Sequence, residues 1–171
     1  QKNRALIDAY ELGSVIKPIV LSKAIDNQLI MPNEEIDIPR RLTLDDKVIV
    51  DSKYYEKLTP QEIIAVSSQI GASKIALKLG YTNLKRNYYE FGFTKPVSIN
   101  FPSSAFGYMN IKEKASDKEL ASLGYGYGIT ISPFQIASAY SVFANEGIFK
   151  EFKILNNQDD ISRRIISCLL Y

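Results

Sequence analysis

The chain has 171 residues, 46% apolar and 23% charged with a formal net charge of +2, so it can bury the core of one domain and lacks the basic excess of a nucleic-acid binder. It contains no histidine and one cysteine, Cys168, which excludes Ser-His-Asp and Cys-His catalysis, histidine metal sites, multi-cysteine zinc sites and an internal disulfide. No apolar run approaches the roughly 18 residues of a membrane span, no signal peptide is visible, and a chain that starts at Gln1 and stops mid-pattern at Tyr171 is expected to be an excised piece.

Taken in chain order, Ser14 to Asp26 reads as a helix, with Ile16, Ile19, Val20 and Ala24 on one face and Ser14 as N-cap. Pro18 has no N–H to give the Ser14 carbonyl, so an irregular first turn is expected. Residues 27 to 58 read as loop and short strands, with Val48-Ile49-Val50 the clearest strand. Thr59-Pro60-Gln61-Glu62 combines an N-cap threonine, a proline at the first helical position and a glutamate at the third. This capping box predicts a helix to about Val66, followed by a turn at Ser67-Ser68-Gln69 and a second helix from Gly71 to Leu79, closed by Gly80. Phe91 to Met109, rich in Pro, Gly and Ser, reads as loop with short strands. Ser132-Pro133 starts a further helix whose apolar positions are Phe134, Ala137, Tyr140 and Ala144, ended by Gly147. A last helix is expected from Ile161 to Tyr171, with Cys168 buried on it.

Ser14-Val15-Ile16-Lys17 is an S-x-x-K. On a helix, positions i and i+3 share a face, so the lysine amine can reach the serine hydroxyl. Serine is a weak nucleophile without a neighbouring base. A lysine can be that base when burial or nearby positive charge lowers its pKa. Alone the motif is weak, since roughly one is expected by chance in a chain of this composition.

Its surroundings are specific. Asn3-Arg4-Ala5 followed by Glu11-Leu12-Gly13-Ser14-Val15-Ile16-Lys17-Pro18 resembles the nucleophile segment of class B penicillin-binding proteins, N-R-A then E-P-G-S-x-x-K-P. Leu58-Thr59-Pro60-Gln61-Glu62-Ile63, then Ser67-Ser68-Gln69-Ile70-Gly71, resembles the family's second motif region, with Asp51 where the family often carries an aspartate. Phe91-Gly92-Phe93 and Ile99-Asn100-Phe101-Pro102 resemble a further segment, and Gly124 to Ala137 is similar to the G-Y-G-x-x-[VI]-T-P-x-Q-[LI]-A signature.

The resemblance implies a mixed α/β (α+β) fold of the serine β-lactamase and penicillin-binding transpeptidase type. Residues 1–171 would be a partial domain dominated by the helical part, of marginal stability alone. It implies a serine D,D-transpeptidase that cross-links peptidoglycan stem peptides in division or elongation. Ser14 would attack the carbonyl between two D-alanines, Lys17 would take its proton, and Ser67 would relay a proton to the leaving amine. A neighbouring stem-peptide amine would then attack the acyl-enzyme. β-Lactam antibiotics would acylate the same serine. Cell-division or elongation membrane proteins are the expected partners, and the parent protein is expected to be membrane-anchored and periplasmic. No cofactor, metal or nucleic acid is implied.

Two departures stand out. Gln69 occupies the family's asparagine position, where its amide either contacts substrate in a shifted pose or signals weakened activity. No K-[ST]-G is present, so truncation before that strand is expected, and with it an inactive chain in isolation. Two other readings stay open: a D,D-carboxypeptidase or β-lactamase using water as acceptor, and a non-catalytic or truncated penicillin-fold module. Ser98-Ile99-Asn100 is a second S-x-N, set between prolines away from any capping box. Lys78-Leu79-Gly80 ends a helix and does not substitute for K-T-G. The glycines at 124, 126 and 128 lack the spacing of a phosphate loop and point to close backbone packing. Tyr81, Tyr88, Tyr89, Phe91 and Phe93 read as core.

Overall fold

The computed structural model describes residues 3–94, 107–109, 115–151 and 162–167. Asn3 accepts from the Ala5 N–H and caps a short helix, α1 (Arg4–Ile7), which is followed by strand β1 (Tyr10–Glu11). A 3₁₀ turn at Gly13–Ile16 runs directly into α2 (Lys17–Asp26). Four short strands follow: β2 (Ile36–Asp37), β3 (Leu42–Leu44), β4 (Lys47–Ile49) and β5 (Lys57–Leu58). Helices α3 (Pro60–Ala65) and α4 (Gln69–Glu90) come next, α4 being broken at Gly80, where φ is 72°. The chain continues through β6 (Tyr108–Met109), α5 (Asp117–Gly124), β7 (Ile129–Ile131), α6 (Pro133–Ala144), β8 (Ile148–Lys150) and β9 (Ser162–Arg164). The predicted capping box at Thr59 is present, and the unpredicted α5 opens on a second one, from Ser116 and Glu119.

The chain forms two compact units. One comprises Leu12–Leu84 and Asn110–Gly128. It is built on α2, of which Ile19, Val20 and Ala24 are fully buried, together with Ile16 from the turn before it. Ile63 of α3 and Ala72 and Ala76 of α4 are fully buried as well. Each large aliphatic removed from water contributes roughly 1.5–3 kcal/mol. Two antiparallel pairs, β2 with β5 and β3 with β4, edge this unit.

The other unit comprises Gln1–Glu11, Lys85–Met109 and Ile129–Tyr171. Its sheet runs β1-β7-β6, all antiparallel, with Tyr10 opposite Ile131 and Tyr108 opposite Thr130. Tyr88, Phe91 and Phe93 are fully buried there, the Tyr88 and Phe93 rings 5.9 Å apart. Tyr89 is half exposed, so the predicted aromatic core holds for part of the cluster.

Three sequence expectations are corrected. Residues 162–164 form β9, paired with β8, where the sequence pattern predicts a helix from Ile161. The pairing fixes the conformation, and the Arg163 guanidinium caps the hairpin by donating to the Glu90 carbonyl at 2.6 Å and lying over the Phe149 ring. The face of α6 is also turned: Ala137 and Ala144 are exposed, whereas Gln135, Ser138, Ala139 and Val142 are buried. Gln135 inverts the pattern because its side chain closes the capping box with Ser132 and donates to the Gly92 and Phe93 carbonyls, both at 3.2 Å. Finally, α4 begins at Gln69 rather than Gly71 and resumes past Gly80 to Glu90. Cys168, Ile99-Asn100-Phe101-Pro102 and the Ser98-Ile99-Asn100 motif lie outside the described residues.

Candidate active site

Ser14 is not a helix cap. The irregularity expected from Pro18 takes the form of the 3₁₀ turn, and α2 starts at Lys17 with Pro18 in its first turn. The turn leaves the Ser14 hydroxyl on the rim of the unit while driving the next turn inward, so that Lys17 is 1% exposed. The Lys17 Nζ lies 3.1 Å from the Ser14 Oγ.

Ser67 comes to the same point from a distant part of the chain. After α3, the backbone takes a left-handed conformation at Ser67, with φ of 57°, a conformation that L-residues other than Asn and Asp seldom adopt. This places the Ser67 Oγ 2.8 Å from the Ser14 Oγ and 2.9 Å from the Lys17 Nζ, which also donates to the Ser67 carbonyl at 2.5 Å. Two hydroxyls and one amine therefore form a closed hydrogen-bonded triangle.

Asp51 holds the Ser67 turn in place. One carboxylate oxygen accepts from the Gln69 and Ile70 N–H groups at 2.6 and 3.1 Å, and the other accepts from the Ser68 hydroxyl at 2.5 Å. The Ser68 Oγ in turn accepts from the Gly71 N–H at 2.9 Å. Three of the orphan N–H groups at the start of α4 are thus satisfied by two side chains, and the carboxylate charge sits at the positive end of the helix. Gln69, just beyond, carries an exposed side chain.

Burial disfavours the charged Lys17 amine and pulls its pKa down to about 8, while the Asp51 carboxylate acts in the opposite direction. At pH 7 roughly a tenth of the amine is then unprotonated and able to accept a proton, a share that grows toward pH 8.

All four sequence-selected residues, Ser14, Lys17, Ser67 and Gln69, lie in one unit, and the first three touch one another. Sequence reasoning gives no role to Ser68, which is 1% exposed and completes the Asp51 network. Asp51 is marked by its place in the chain, but a cap supplied from 18 residues away leaves no local spacing signal. The glycines at 124 and 126 serve close packing, as expected: a Cβ at Gly124 would lie 2.6 Å from the Ala76 Cβ.

Residues 1–167 match the penicillin binding protein transpeptidase domain family. Over 90% of its length the chain is 34% identical to the peptidoglycan D,D-transpeptidase FtsI of Buchnera aphidicola subsp. Schizaphis graminum, of which it covers 27%. The crystal structure of a peptidoglycan glycosyltransferase from Burkholderia ambifaria superposes with a TM-score of 0.90 and 30% identity, over 98% of this chain and 55% of that one. The apo transpeptidase domain of Burkholderia pseudomallei penicillin-binding protein 3 gives a TM-score of 0.89 and 31% identity, over 97% of this chain and 51% of that one. The chain therefore spans about a quarter of that curated relative and half of those structures, and it has their mixed helix-and-strand transpeptidase fold. The chain belongs to the penicillin-binding protein transpeptidase domain family.

Proposed function

We propose that this chain carries the nucleophile half of a class B peptidoglycan D,D-transpeptidase, with Ser14 as nucleophile, Lys17 as its base and Ser67 as proton relay. The reading rests on the mutual approach of the Ser14 Oγ, Lys17 Nζ and Ser67 Oγ, all within 3.1 Å of one another. Lys17 in its neutral form takes the Ser14 proton as the Oγ attacks the carbonyl between two D-alanines of a stem peptide. The proton returns through Ser67 to the departing amine as the C–N bond breaks. The amine of a neighbouring stem peptide then attacks the ester and releases Ser14 with a new cross-link. A β-lactam enters by the same first step, its ring C–N bond breaking in place of the peptide bond.

Gln69, the exposed first residue of α4, supplies an amide donor and acceptor to the bound peptide. The Buchnera relative is named a peptidoglycan D,D-transpeptidase. By extension the whole protein works at the outer face of the cytoplasmic membrane, anchored there and partnered by division or elongation membrane proteins. Among the described residues no helix is long and apolar enough to cross a membrane.

The test is covalent labelling of the full-length protein by a fluorescent penicillin. Labelling that disappears in Ser14→Ala is expected. A folded full-length protein that takes up no label would overturn the reading.

A further inference from the structure

The turn that carries Ser14 is clamped by a segment distant from it in sequence. The Gly13 N–H donates to the Gly126 carbonyl at 3.2 Å. Both glycines are left-handed, with φ of 55° and 94°. The two backbones approach so closely that a Cβ on Gly126 would overlap the Gly13 carbonyl oxygen and lie 2.5–2.6 Å from its N and C atoms. Two residues earlier, Gly124 presses on the other half of the site. A Cβ there would lie 2.6 Å from the Ala76 Cβ and 2.7 Å from the Ala72 carbonyl oxygen, both on α4. The Ala72 N–H bonds the Ser68 carbonyl, one turn from Ser67.

The segment is itself held firmly. Gly126 N–H donates to the Leu123 carbonyl, and Tyr125 and Tyr127 N–H groups donate to that of Ser122. The Ser122 hydroxyl accepts from the Lys47 amine at 2.7 Å. One short backbone stretch thus lies between the turn bearing Ser14 and the helix whose start orders Ser67, and small residues are required on both of its contacts.

We propose that Gly124–Gly126 is a positioning segment that sets the separation of the Ser14 and Ser67 hydroxyls and thereby the rate of the acylation step. The proposal rests on the reading of Ser14 and Ser67 as the reacting pair, and it adds residues to that site that touch no reacting atom. It predicts that pushing the segment away from Gly13 opens the 2.8 Å hydroxyl contact while leaving the recognition of the β-lactam largely intact.

The test uses the full-length protein and stopped-flow acylation by a fluorescent penicillin, which separates the non-covalent dissociation constant from the limiting acylation rate. Gly128→Ala is the control. Gly128 is also left-handed, with φ of 81°, but a Cβ there meets nothing closer than 3.7 Å. It therefore carries the backbone strain without the collision. The expected result is that Gly126→Ala lowers the limiting rate about tenfold or more with the dissociation constant within about threefold, because a small misplacement of reacting groups is costly. Gly128→Ala should stay near the wild-type rate even though its melting temperature falls. Equal limiting rates in Gly126→Ala and Gly128→Ala would overturn the proposal. Should Gly126→Ala fail to fold, Gly124→Ala displaces the same segment from the α4 side, and a folded Gly124→Ala with the wild-type limiting rate would overturn it equally. Loss of label from the wild-type protein itself would instead sink the reading of the site.

Discussion

The hydroxyls of Ser14 and Ser67 lie 2.8 Å apart across 53 residues of sequence, with the Lys17 amine within reach of both. Neither helix start alone makes this contact. It requires the left-handed turn at Ser67 and the Asp51 carboxylate that fixes the backbone just after it.

The pH dependence of acylation follows from Lys17. Its amine titrates at about 8 because of burial, and the neutral form is the one that accepts a proton. The acylation rate should rise through about pH 8 and level off above it. A rate flat from about pH 6 to 10 would exclude Lys17 as the base. Stability moves in the same sense. Between about 8 and the ordinary lysine value of 10.5, the unfolded chain holds a proton that the folded chain has released, so stability rises with pH across that window. Lys17→Met should abolish labelling and also remove this rise in a melting-temperature series.

Asp51→Asn keeps the side-chain shape and removes the charge. The Ser68 hydroxyl and two helix N–H groups lose a carboxylate acceptor, which should lower stability by about 1–3 kcal/mol in chemical denaturation. The charge that favours protonated Lys17 disappears as well, so the inflection in the acylation profile should move to lower pH. A profile that stays in place would show that Asp51 acts on the turn alone.

Gln69 is exposed and its backbone N–H, not its side chain, bonds Asp51. Gln69→Ala should leave the melting temperature nearly unchanged, as surface substitutions usually do within ~0.5 kcal/mol, while slowing acylation several-fold. Gln69→Asn should retain acylation. Equal rates in all three proteins, measured by label uptake, would remove Gln69 from substrate contact.

The capping box at Thr59 supports the helix that delivers Ser67. Thr59→Ala should cost about 1 kcal/mol in thermal or denaturant unfolding. The Glu62 carboxyl is held below its ordinary value by the Thr59 N–H and hydroxyl, so its contribution is present at neutral pH and lost on acidification through that lowered value. Glu62→Gln should therefore flatten the acid limb of a stability–pH curve.

Local chemistry makes several features legible in the sequence alone. The Thr59 box and the helix at Ser132-Pro133 follow from which backbone N–H groups a side chain can satisfy within three or four residues, the break at Gly80 from glycine's tolerance of a left-handed backbone, and the disturbed first turn at Pro18 from its missing N–H. The S-x-x-K spacing likewise puts Lys17 within reach of Ser14 from local helix geometry alone. What tertiary structure decided was non-local. The segment 162–164 is a strand because β8 is there to pair with it, and Gln135 is buried because two carbonyls from another part of the chain need its amide. Ser67 is a partner of Ser14 only because Asp51, distant in sequence, supplies the acceptors that hold its turn. Hydrogen bonds and close backbone contacts between residues tens of positions apart have no period or local spacing, so the motif resemblance marks Ser67 and Asp51 but only the fold shows how they meet.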